Sequence, residues 1–160
     1  MHGTLVVGVD GSPASLAALR WSAELAGRLD LKVEVVHAWI PVARFHAPYA
    51  RGAHRPTAEE ERRRAGRLLD ESVAGLLALQ PDADVRAVLV EGPAVPALLH
   101  CAEHAAALAL GRGPRRGPGQ PALGPVAREC ARAARCPVIT VPEPTTTETA
   151  AGTGRGAGCR

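Results

Sequence analysis

The sequence predicts an α/β domain, an open parallel sheet covered by helices on both faces, and three observations lead there. Segments of strand and helix character alternate along the chain in the order β α β α β α β α β, the pattern of strands joined by crossover helices. The strand segments are near-continuous in Val, Leu and Ala, as strands buried on both faces must be. Aromatic residues make up 2% of the chain although 46% of it is hydrophobic, so the core is built from small aliphatic side chains. Such side chains suit a sheet on which Ala-rich helices sit closely.

Residues 4–9 read as the first strand, ended by Asp10-Gly11-Ser12-Pro13. That ending also starts a helix. Ser12 can cap the free amides of the first turn, and Pro13 suits the first helical position because its missing N–H has no helical partner there. Leu16, Leu19, Ala23 and Ala26 then recur at helical spacing and Leu29 continues the stripe, with Gly27 and Asp30 marking the end.

Residues 33–39 read as a second strand, followed by a long loop from Ile40 to Pro56 that holds Phe45 and Tyr49. Loops of that length are uncommon in compact domains and are often lids. Thr57-Ala58-Glu59-Glu60 has the form of a capping box and opens a helix to about Leu79, which Pro81-Asp82 breaks. A third strand covers 85–90 and ends at Glu91-Gly92-Pro93, and a helix follows through about His104. Residues 107–110 form a short, weak fourth strand that leads into a Gly/Pro/Arg loop from Gly111 to Pro121. A last helix begins near Gly124-Pro125 and runs to about Ala134, and 137–141 are the last strand. The domain is expected over 1–142. Residues 143–160 lack apolar periodicity and are expected to be a disordered tail.

The bulk properties narrow the function classes. A formal charge of +3 is too small to argue for nucleic acid or an anionic membrane as a partner. No apolar run approaches the roughly 20 residues that span a bilayer. The N-terminus lacks a basic head and a cleavage site, which predicts a cytoplasmic protein. Cys101, Cys130, Cys136 and Cys159 form no CxxC pair and no metal-ligand spacing, so free thiols are expected.

Several segments, in this order, resemble the universal stress protein family. They are Val7-Gly8-Val9-Asp10-Gly11-Ser12 with Trp21-Ser22-Ala23, then Val36-His37-Ala38, Val90-Glu91-Gly92 with Leu98-Leu99, Leu123-Gly124, and the run from Ala134 to Val141. The resemblance implies a five-stranded, Rossmann-like sheet in the order 3-2-1-4-5 that binds an adenine nucleotide. It also implies a homodimer joined through the last strand. In open sheets of this kind ligands bind beyond the strand ends where the winding reverses, here between strands one and four. Asp10 and Gly111 end those two strands.

ATP-binding members of the family carry a glycine, two residues, a second glycine, nine residues, then Gly-Ser or Gly-Thr. Gly111 and Gly124 stand at the outer glycine positions, whereas Pro114 and Pro125 occupy the second glycine and the Ser/Thr positions. Pro114 has no amide and a fixed φ, although Gly113 stands beside it. Pro125 removes a hydroxyl and an amide at a helix start, a position that also favours proline for structural reasons. Asp10 and Ala38 match positions that meet the adenine end in the family, Ala38 through its backbone, and Val126 follows the last glycine as expected. The resemblance thus implies a site of Asp10, Ala38, Gly111, Gly113, Gly124 and Val126 for ATP, with Mg accompanying it. The basic residues Arg112, Arg115 and Arg116 lie in the same loop. The two prolines keep a second reading open, a dimeric interaction scaffold that binds no ATP.

Other constellations carry less. His100 and His104, four apart, have no third ligand and read as a helix surface pair. His37 reads as a hydrogen-bonded core histidine. Glu59-Glu60-Glu61 followed by Arg62-Arg63-Arg64 reads as a solvated helix face. A receiver-type phosphoacceptor would need paired acids after strand one and Asp after strand three. Only Asp10 and Glu91 stand there, so no dedicated catalysis is expected.

Overall fold

The structure is a computed structural model and describes residues 3–42, 56–113 and 123–144. Phe45, Tyr49, Pro114, Arg115, Arg116, Cys159, the middle of the long second loop and the tail from residue 145 lie outside the described residues. Among the described residues nine elements follow in order: β1 (Thr4–Gly8), α1 (Pro13–Leu29), β2 (Lys32–Trp39), α2 (Ala58–Leu79), β3 (Val85–Glu91), α3 (Ala94–Cys101), β4 (Ala107–Arg112), α4 (Pro125–Ala133) and β5 (Val138–Pro142). The five strands form one sheet in the order β3-β2-β1-β4-β5, and every pairing is parallel.

Strand alternation divides the core in two. Leu5, Val7 and Val9 point to the face covered by α1 and α2, where they meet Ala18, Leu19 and Leu69. Val6 points to the opposite face, where it meets Leu98 of α3, Ala127 and Cys130 of α4, and Leu108 and Leu110 of β4. Burial of a Leu or Val side chain stabilises by roughly 1.5–3 kcal/mol, so these two layers supply the main driving force. Gly8 belongs to the second face. A Cβ there would come within 2.7 Å of Leu110 Cδ2 and 2.9 Å of Leu98 Cδ2.

The helix starts follow local chemistry. Ser12 Oγ accepts the Ser15 amide at 3.2 Å, with Pro13 in the first turn of α1. Thr57 and Glu60 form both halves of a capping box on α2, at 3.2 and 2.7 Å.

α1 runs through Gly27 to Leu29 and stops at the expected Asp30, whose left-handed φ of 53° turns the chain. Two expectations need correction. The third helix ends at Cys101, not at His104. A turn closed by Glu103 N–H to the His100 carbonyl and Ala105 N–H to the Ala102 carbonyl brings the chain back to begin β4, so His100 and His104 do not share a helix. The fourth strand is not weak: it extends through Gly111 and Arg112, lies between β1 and β5, and is buried from Ala107 to Leu110. Short length hid a central position. No helix among the described residues is long and apolar enough to cross a membrane.

Candidate functional site

The sheet reverses its winding between β1 and β4, and a cavity of about 140 Å³ lies there, at the carboxyl ends of the strands. β1 contributes Gly8, with Val9 and Asp10 following it, β2 contributes Val36, His37 and Ala38, and β4 contributes Leu110 and Gly111. Ala94 and Leu98 of α3 and Val126 and Ala127 of α4 close the far side. The volume is well below the roughly 300 Å³ at which drug-sized pockets begin. That is room for a ring-sized group and no more.

Four of the six expected residues meet in this cavity: Asp10, Ala38, Gly111 and Val126. Gly113 and Gly124 do not line its wall, and a Cβ on either would meet nothing within 4 Å. Gly111 has a reason the sequence did not show. Its α-carbon faces the first turn of α1, and a Cβ would lie 2.4 Å from the carbonyl carbon of Ala14 and 2.5 Å from the Ser15 nitrogen. The glycine therefore admits α1 against β4.

A short polar network holds the β1–α1 turn. Ser12 N–H donates to Asp10 Oδ1 at 2.9 Å, and Asp10 N–H donates to Ser15 Oγ at 3.3 Å. The Ser15 hydroxyl in turn donates to the Ser12 carbonyl at 3.0 Å. Gly11 makes the turn with φ of +81°, a conformation L side chains rarely adopt. Partial burial works against the Asp10 charge, but the Ser12 hydroxyl and amide and the Ser15 hydroxyl outweigh it. The carboxyl consequently sits below the ordinary aspartate value. It stays ionised at neutral pH and accepts hydrogen bonds.

His37 is half-buried, as its place in a Val-rich strand predicts. Its Nδ1 lies 2.8 Å from the Val9 carbonyl oxygen. A carbonyl only accepts, so Nδ1 carries a hydrogen. At the opposite wall, α4 begins at Gly124 with Pro125 in its first turn and no side-chain cap. Uncapped amides at a helix start favour anions, but Pro125 supplies none.

Ser15, His37, Ala94 and Ala127 were not anticipated as lining residues. Ser15, three residues after the cap Ser12, carried a usable local signal; the α3 and α4 residues carried none. Among the described residues, no group of three His, Cys, Asp or Glu side chains could hold a metal ion.

Comparison with known proteins adds an independent finding. Residues 1–142 match the Universal stress protein family. A universal stress protein of Mycobacterium tuberculosis is 32% identical over 145 residues, covering 86% of this chain and 46% of the relative. One from Mycolicibacterium smegmatis is 31% identical over 137 residues, covering 86% and 45%. The chain thus spans under half the length of these curated relatives. Among solved structures, a universal stress protein from Archaeoglobus fulgidus in complex with dAMP is 26% identical with a TM-score of 0.58, covering 88% of this chain and 98% of that one. A universal stress protein in complex with cAMP shares the fold at 24% identity and a TM-score of 0.62, covering 89% and 98%.

Proposed function

Because the chain belongs to the universal stress protein family, we propose that its switch-point cavity receives the base of an adenine nucleotide and that the protein is a cytoplasmic, nucleotide-responsive stress regulator without dedicated catalysis. The observation that carries this reading is the meeting of Asp10 of the β1–α1 turn, Ala38 of β2 and Val126 of α4 around one ring-sized cavity. The dAMP bound by the Archaeoglobus relative supports the ligand class.

The roles follow from chemistry. Asp10, charged and oriented by Ser12, accepts from ligand amino or hydroxyl groups. Ala38 offers backbone groups at the end of β2, and its small side chain leaves the base room. Leu98, Leu110 and Val126 give the base an apolar surround. The phosphates of ATP, with Mg, would extend toward the start of α4 and Arg112.

A second reading rests on Pro125. With no amide at that position and no side-chain cap on α4, the phosphate end is poorer in donors than the base end. In this reading the protein is a homodimeric scaffold joined through β5, one of the sheet's two edge strands, whose Val138, Ile139 and Val141 are only half-buried.

The deciding measurement is nucleotide released from the purified protein by heat, followed by calorimetric titration with ATP and Mg, AMP and adenosine. Micromolar binding of any of them supports the first reading. Equal affinity for all three would mean that the nucleoside is read and the phosphates are not. An empty protein that binds none overturns it in favour of the scaffold. If Pro114→Gly with Pro125→Ser then creates ATP binding, the prolines are the cause.

A further inference from the structure

At the switch-point cavity β2 outruns β1. The two strands stay paired only as far as Gly8 and Val36, where the Val9 N–H donates to the Val36 carbonyl at 2.9 Å. β2 runs on through His37, Ala38 and Trp39, which remain paired with Leu89, Val90 and Glu91 of β3. Backbone groups along a parallel strand turn alternately to its two neighbours. Val36 accepts from the β1 side, and Trp39 accepts from Gly92 on the β3 side. The N–H and carbonyl of Ala38 therefore both turn toward β1.

The next rung of the β1–β2 ladder would join the Ala38 N–H to the Val9 carbonyl, but the pairing has already stopped. His37 Nδ1 holds that carbonyl instead, at 2.8 Å. Val9 is 5% exposed, and a carbonyl buried to that degree needs a donor. The ring supplies it from the α2 side of the sheet. Alternation sets His37 there with Val35, in a hollow that it shares with Glu61, Arg64 and Leu68 of α2. β1 then leaves the sheet at Asp10, whose N–H goes to Ser15 Oγ. Among the described residues the Ala38 N–H and carbonyl are left without a backbone partner, on the wall of the cavity.

A donor and an acceptor side by side on one strand edge select among bases. Adenine presents a ring-nitrogen acceptor beside its exocyclic amino donor, whereas guanine places an oxygen acceptor where that amino group would be. We propose that His37 is the positioning residue of the base site: by holding the Val9 carbonyl it keeps the Ala38 N–H and carbonyl open for the ring nitrogen and amino group of an adenine. This role rests on the nucleotide reading, and it is exerted through Ala38 rather than on the ligand. Without the imidazole, the buried Val9 carbonyl takes the Ala38 N–H as its donor, and the ladder closes over the position that reads the base.

The test compares the parent chain with His37→Val, which removes the donor but suits a Val-rich strand, and with His37→Asn, whose side-chain amide can replace Nδ1. Amide hydrogen exchange by NMR, without ligand, should find the Ala38 N–H open in the parent and in His37→Asn, and markedly protected in His37→Val. With ligand, calorimetry should find adenosine bound more tightly than one of its analogues 1-deazaadenosine and 7-deazaadenosine, by about tenfold, as one donor left unpaired in a buried site costs. That preference should vanish in His37→Val and return in His37→Asn. A parent that does not bind adenosine overturns the nucleotide reading, and this role with it. A parent that binds adenosine, beside a His37→Val variant that keeps either the open amide or the preference, overturns the role of His37 alone. Far-UV circular dichroism checks that the variants fold. If His37→Val does not, the parent decides: an Ala38 amide already protected without ligand overturns the proposal.

Discussion

Gly111 of β4 stands against the backbone of Ala14 in α1, so closely that a Cβ on Gly111 would lie 2.4 Å from the Ala14 carbonyl carbon and 2.5 Å from its oxygen. Both partners are backbone and neither can rotate away. Gly111→Ala must push the first turn of α1 off the sheet, at about 1–3 kcal/mol, the usual range for overpacking. Gly113→Ala, with open space at its α-carbon, should change stability by under about 0.5 kcal/mol, and Gly124→Ala, equally open but at the N-cap of α4, by up to about 1 kcal/mol because alanine caps poorly. Urea midpoints of the three variants check this. Equal effects at all three positions would remove the packing role of Gly111.

The cap of α1 is a separate and smaller contribution. Ser12→Ala removes the acceptor for the Ser15 amide and should cost about 1 kcal/mol. Thr57→Ala, which opens the capping box of α2, should cost about the same. Thermal unfolding of both variants measures it. A Ser12→Ala protein as stable as the parent would show that water replaces the cap without loss.

Asp10 gives a pH dependence with a definite sign. Its carboxyl titrates below the ordinary value when folded and near 3.9 when unfolded. The folded state therefore binds the proton more weakly. The stabilisation is fully present above the unfolded value and is lost as pH falls through the depressed folded value. Asp10→Asn should be less stable than the parent at neutral pH, and the difference should close as pH falls from about 4 to below the folded value. Urea denaturation from pH 6 to pH 2 reads both limbs. A constant difference across that range would exclude the carboxylate as its source.

Thiol reactivity should separate the buried cysteine from any that is open to solvent. Cys130 is fully buried, and burial, with a smaller effect from Glu129, pushes its thiol up. Cys101, half-buried on α3, is also raised by burial and by Glu34, with Arg86 opposing. Thiolate is the reactive form, so Cys130 should react with an aromatic disulfide near pH 8 only as fast as the protein opens. Peptide mapping of labelled protein assigns each site. Immediate labelling of Cys130 would contradict its burial against Leu98 and Ala127.

Much of this architecture is legible in the chain, because it rests on local rules. Ser12-Pro13 and Thr57-Ala58-Glu59-Glu60 start helices by hydrogen bonds reaching three residues, so spacing alone locates them. The near-continuous runs of β1 and β2 identify buried strands for the same reason. Where α3 ends was not legible: His100 to His104 keeps a helical look, and only the return to β4 forces a turn at Ala102. The centrality of β4 was hidden too, since burial depends on neighbours far away in sequence.

The site divides in the same way. Asp10 and Gly111 could be named because strand ends in a doubly wound sheet converge at a fixed place, whereas Ala38 and Val126 were named only through the family resemblance. His37 and Ala127 emerged as lining residues only when three elements packed together, whereas Ser15 carried a local signal in its spacing from Ser12. The sequence by itself determined the alternation of elements, the capped helix starts and the strand ends that meet at the switch point. Tertiary structure alone decided that Gly111 serves close packing of α1 and that His37 holds the Val9 carbonyl. Each of those depends on distances between segments many residues apart, and no local pattern encodes such distances.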